Sequence, residues 1–135
     1  MNTSNFLLVV LMGLSLIGCN TTEKYAANNA AGQRWLDEHR GGAGISVGGI
    51  WQSEDWGGSK LVQEGRAVNG TLGSYSVRGV VSGQRAYLLL QSGGWIHYTA
   101  VLAKPSATQL SGFYSYTVPF SLADQRELEM RRIYQ

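Results

Sequence analysis

Between Gly41 and Gly112 the chain carries fifteen glycines, and the segments between them are short and rich in Val, Leu, Tyr and Trp. Each glycine interrupts a helix at about 1 kcal/mol relative to alanine, so no long helix is expected there. Short apolar segments between turn residues, recurring every 8–12 residues or so, instead predict an antiparallel, mainly β domain. The expected strands are 45–52, 59–64, 67–81 (one bent strand or two short ones), 84–91, 95–103 and 108–118. That makes a meander of six or seven strands, rolled into a half-barrel or small barrel. Asn69-Gly70 supplies the strongest two-residue hairpin signal, since both residue types tolerate positive φ. Gly73 and Gly79 are expected to mark bends or bulges.

The segment 95–103 shows the pleat best. Ile96, Tyr98, Ala100 and Leu102 alternate as one apolar face, and Trp95, His97, Thr99 and Val101 make a mixed one. One side of the sheet is therefore expected to be dry and the other partly polar. From Ser121 the pattern reads as a C-terminal helix. Ser121 and Asp124 form a weak capping pair, Glu127 and Arg131 are spaced i,i+4, and Leu122, Met130 and Ile133 fall near one face. Such a helix would cover a sheet edge or plug a barrel end. Ahead of the sheet, 19–44 is polar and Ala/Asn-rich and ends in Gly41-Gly42. It reads as a tether, helical in its second half, because Tyr25, Trp35 and Leu36 do not by themselves make an apolar stripe.

Residues 1–18 contain no charged side chain, and Phe6–Ile17 is a largely apolar run of twelve. About 20 such residues are needed to span a bilayer, whereas 7–15 suit the core of a secretory signal. Leu16-Ile17-Gly18-Cys19 closes the run, and this stretch resembles the lipobox of bacterial lipoproteins. The resemblance implies cleavage after Gly18 and acylation of Cys19, the only cysteine in the chain. It also implies a place in the cell envelope, with Asn20 after the cysteine favouring the outer membrane. Three regions follow: a signal peptide at 1–18, a tether at 19–44 and a β domain with its C-terminal helix at 45–135. A second resemblance is confined to the start of the β domain. Gly49-Ile50-Trp51 is similar to the G-x-W of the first lipocalin strand. With Gly58-Ser59, Leu61-Val62 and Gly73-Ser74-Tyr75, it also looks like the opening of avidin-type barrels. That implies a small barrel; no biotin-binding residue carries across.

The chemistry-bearing residues are sparse. One cysteine excludes an internal disulfide or a multi-Cys metal cage. The formal charge of +2, with no basic cluster, does not suit nucleic acid. The two histidines, His39 and His97, have no neighbouring nucleophile in a recognisable pattern, and Gly73-Ser74-Tyr75 lacks the second glycine of a nucleophile elbow. Glu54-Asp55 and the run Asp37-Glu38-His39 read as solvated rather than metal-binding. No metal and no cofactor is expected. The remaining candidates are aromatic. Trp51, Trp56 and Trp95, with His97 and Thr99, form the candidate ligand- or partner-binding set. Trp56, in a turn between carboxylates and glycines, either stacks on a ligand or folds back over the barrel mouth. The expectation is a lipid-anchored, non-enzymatic binding protein whose ligand is a partner protein, a glycan or a small apolar molecule. An envelope assembly factor or an inhibitor is the alternative, and a hydrolase the remote one.

Overall fold

The computed structural model describes residues 22–42 and 44–134; the apolar leader 1–18 and Cys19 lie outside them. A helix, α1 (22–38), comes first. Eight strands follow: β1 (Gly49–Ser53), β2 (Gly57–Glu64), β3 (Ala67–Leu72), β4 (Tyr75–Ser82), β5 (Arg85–Ser92), β6 (Trp95–Ser106), β7 (Gln109–Ser115) and β8 (Gln125–Tyr134). Each strand pairs antiparallel with the next, and β8 returns to β1, so the sheet closes on itself. This is an up-and-down barrel, in which closure leaves the sheet without free edges. The antiparallel β barrel expected from the glycine-punctuated pattern is thus observed, with eight strands rather than six or seven.

The additional strand comes from the segment expected to be the C-terminal helix. Gln125–Tyr134 is strand β8. Leu128 and Met130 are buried while Glu127, Glu129 and Arg131 are exposed, an alternation of period two. Glu, Leu, Met and Arg all favour helix intrinsically. Both β1 and β7 present open edges, however, and pairing with them outweighs the preference. The capping signal at Ser121 is real but short-lived. Its Oγ accepts from Ala123 N at 3.3 Å and caps a single 3-10 turn, Leu122–Asp124.

The interior is filled. Trp51, Leu61, Val68, Leu72, Val77, Val81, Leu88, Leu90, Leu102, Leu110, Leu128 and Met130 pack into one core. The outward positions Lys60, Glu64, Glu127, Glu129 and Arg131 are exposed. Apolar inside and charged outside suits a wall in water and is the reverse of a lipid-facing barrel. At Asn69-Gly70, the expected hairpin, the chain runs straight on within β3, and the turn comes three residues later at Gly73-Ser74. Gly70 serves close packing instead: a Cβ there would overlap the Lys60 carbonyl oxygen of β2.

Segment 19–44, expected to act as a tether, is helical over 22–38 and lies against the outer wall of the barrel. Trp35 and Leu36 bury against Leu89 and Ile96, with Tyr87, Val101 and Phe120 around them. This explains the uninterrupted Leu88-Leu89-Leu90 of β5: its two faces meet the barrel core and the helix respectively. A bulge in β6 serves the same contact. Leu90 pairs with Tyr98 but Gln91 pairs with Ile96, so His97 is the extra residue. Ile96 therefore turns outward under α1, off the face it was expected to share with Tyr98, Ala100 and Leu102.

Candidate functional site

The connections β1–β2, β3–β4, β5–β6 and β7–β8 gather at one end of the barrel, and β2–β3, β4–β5 and β6–β7 at the other. The second end is plugged by the approach to β1. Val47 is fully buried there and donates its N–H to Gln63 Oε1 at 2.7 Å; Gln63 Nε2 donates to the Ile45 carbonyl at 3.2 Å. Trp51 belongs to this plug. It is fully buried, donates from Nε1 to the Val47 carbonyl at 3.0 Å, and carries the Arg132 guanidinium 4.5 Å above its ring.

The first end is aromatic. Trp56, on the β1–β2 connection, folds over the mouth and meets Tyr75, Tyr98 and Tyr114 with ring centroids 5.5, 5.1 and 5.0 Å away. These are edge-to-face contacts, which the ring quadrupoles favour. Tyr116 extends the cluster from Tyr98 at 5.0 Å and lies beneath the Arg126 guanidinium at 4.9 Å. On the opposite flank the series continues from Tyr75 to His97 (6.2 Å) and from His97 to Tyr25 of α1 (6.1 Å). Tyr25 in turn stacks on Trp95 at 5.3 Å. The result is a continuous belt from the barrel mouth to the first turn of the helix.

Of the five candidate binding residues, the fold brings Trp56, Trp95 and His97 into this belt. Trp51 sits in the interior plug. Thr99 is buried in the wall, where its hydroxyl donates to the Thr117 carbonyl at 2.9 Å and fixes the end of β7. The sequence reading missed Tyr25, Tyr75, Tyr98, Tyr114 and Tyr116. The last three were legible as alternating inward or rim positions of strands, but nothing local says that they converge.

The belt's electrostatics favour neutral phenols. Hydrogen bonding with Tyr75, followed by burial, pushes Tyr98 up to about 12 from the usual 10. Burial, then the neighbouring Tyr116, raises Tyr114. A phenol serving as a base or nucleophile needs the opposite shift. These hydroxyls stay protonated at neutral pH and offer ring faces with hydrogen-bonding tips. His97 meets Tyr25, Tyr75 and the Ser92 carbonyl (3.3 Å from Nε2). Among the described residues no three His, Cys, Asp or Glu side chains are grouped to hold a metal.

Two of the clefts outside the barrel lie beside α1 and across β6 and β7. One, of about 410 Å³, runs beside α1 and is lined by Arg40, Arg66, Arg78, Gln33 and Asp37. Two of its arginines pin the helix, Arg66 donating to the His39 carbonyl and Arg78 to Gln33 Oε1, while Arg40 Nε donates at 2.6 Å to the Asp37 carbonyl at the end of α1 itself. The other, of about 370 Å³, is an apolar groove lined by Val101, Phe113, Phe120 and Leu122. No protein-family model matches the chain, and no curated protein or solved structure matches it either.

Proposed function

We propose that this is a lipid-anchored protein of the bacterial cell envelope, held in the membrane, the outer membrane by preference, through an acylated Cys19. Its barrel binds and does not catalyse. The observation that carries the binding role is the aromatic belt, which gathers rings from the barrel mouth and from α1 at one end of the molecule. A filled interior supports recognition by this outer face rather than capture of a small apolar ligand inside. Phenols held neutral support binding over proton transfer. The lipobox-like Leu16-Ile17-Gly18-Cys19 supports the anchor.

The test has two parts. Produced in a bacterium with its leader, the protein should be recovered from membranes as a chain beginning at Cys19 with the mass of its acyl groups, and Cys19→Ser should abolish both changes. A wild-type chain that keeps its leader and carries no acyl mass overturns the anchor. In the chain produced from Asn20 onward, without leader or anchor, Tyr116→Ser and His97→Ala should leave the thermal midpoint near that of the unsubstituted soluble chain and weaken retention on isolated envelopes. Unchanged retention overturns the site. The apolar groove at Phe113, Phe120 and Leu122 favours a second reading, an assembly factor or inhibitor that grips a protein partner. Loss of a stoichiometric partner on Phe113→Ser, with the belt intact, would select it.

A further inference from the structure

We infer that the aromatic end of the barrel rests on the interfacial layer of the same bilayer that holds the anchor. This rests on the acylation of Cys19 proposed above and names the surface that the belt meets. The first argument is the direction of α1. Near its start, Tyr25 stacks on Trp95, and Asn29 clamps the β5–β6 turn, donating to the Gly94 carbonyl at 3.0 Å and accepting from Ile96 N at 3.1 Å. Near its finish, His39 stacks on Tyr87 at 3.6 Å, and Gly41 N–H donates to Ser82 Oγ at 2.9 Å, beside the β4–β5 turn at the plugged end. The helix thus runs from the aromatic end to the plugged end, over a length of about 24 Å.

The second argument is reach. Thr22 is the third residue after Cys19, and three residues span at most about 11 Å whatever their conformation. A lipid on Cys19 therefore brings the bilayer surface to the aromatic end, while the plugged end stands a helix length away. The third argument is chemistry. Tyr and Trp are the residues that bilayer interfaces favour, with the ring among the upper acyl carbons and the polar tip among headgroups. The belt presents both, and Tyr116, 49% exposed, stands out from that end. Asp55, on the β1–β2 connection, is exposed and close enough to Tyr114 to act on its phenol.

The experiment uses the acylated full chain purified from bacterial membranes and reconstituted in phosphatidylethanolamine/phosphatidylcholine vesicles. Because acylation consumes Cys19, one new thiol can be spin-labelled selectively. Ser74→Cys places the label on the exposed β3–β4 turn beside Trp56, at the aromatic end, and Ala107→Cys places it on the exposed β6–β7 turn of the other. For the label at 74, the ratio of collisions with oxygen to collisions with a water-soluble nickel chelate should rise several-fold on reconstitution, and at 107 it should not change. Equal, water-like ratios at both positions, in protein that floats with the vesicles, overturn the orientation and leave the anchor standing. Loss of access to both reagents at 74 means that a second copy covers that end, and this overturns the orientation as well. Absence of acyl mass on Cys19 in the same preparation overturns both readings.

Discussion

Replacing Trp35 by alanine isolates the contact that holds α1 to the barrel. The indole is only 8% exposed and packs on Leu89 and Ile96, with Tyr87 and His39 at its edges, 5.6 and 5.7 Å between ring centroids. Burying a tryptophan removes about 150–250 Å² from water, worth about 4–6 kcal/mol at 25 cal/mol/Å². Measured Trp→Ala costs in cores are about 3–5 kcal/mol, and the lower range applies because the indole lies on the outer face of the barrel and keeps 8% exposure. A helix of this length is marginal alone, whereas the barrel is closed through β1 and β8 without it. The loss should therefore fall on helix docking rather than on the whole molecule. Hydrogen exchange measures this directly. Protection of the α1 amides should fall by about 10²–10³-fold, at 1.4 kcal/mol per decade, while the β4–β6 amides change little. Trypsin should cut faster after the exposed Arg34 and Arg40. If α1 keeps its protection, or if helix and strands lose it together in one step, the helix is not a separately docked unit and the reasoning fails.

Other outcomes follow from the same structure. Met130→Lys should prevent or severely weaken folding, because it places an unpaired charge in the core, whereas Glu129→Lys next to it should change stability by no more than about 0.5 kcal/mol; similar effects on thermal unfolding would contradict the period-two strand. Burial lowers the pKa of His39, so its neutral form favours the docked helix. That contribution is complete above about 6.5, the unfolded value, and declines as pH falls below it toward the lower folded value; α1 protection factors, corrected for the intrinsic exchange rate at each pH, should fall on mild acidification and lose this response in His39→Phe. Tyr98 shifts the other way. Its contribution is complete below pH 10 and is lost between about 10 and 12, so thermal midpoints should fall in that window, and less steeply for Tyr98→Phe. Gly32 lies on the helix face against Ile96 and Leu89, where a Cβ crowds both side chains; Gly32→Leu should lift α1 and reproduce the exchange pattern of Trp35→Ala.

The docked face of α1 shows why part of the design was hard to read. Tyr25, Asn29, Gly32, Trp35, Leu36 and His39 recur at helical spacing and all turn toward the barrel. Only half of that stripe is apolar, because Gly32 is small for close approach and Asn29 bonds to backbone. A search for hydrophobic periodicity passes over such a face. His97 illustrates a similar gap. Alternation put Ile96 and Tyr98 on one side, and a single bulged residue separates them.

Local pattern settled what each segment can offer. Glycine spacing and apolar alternation dictated an antiparallel sheet, one cysteine after an apolar leader marked the expected anchor, and Ser121 marked a helical turn. Closure was settled only in three dimensions. Whether Gln125–Tyr134 coils or extends depends on unpaired edges at β1 and β7, which its own sequence does not contain. The belt is equally non-local: Tyr25, Trp56, Tyr75, Tyr98 and Tyr116 come from separate segments and meet because an up-and-down barrel returns every second connection to the same end. Intrinsic preference amounts to tenths of a kcal/mol per residue, while pairing both edges and burying Leu128 and Met130 contributes several times more, so the tertiary terms decide wherever the two disagree.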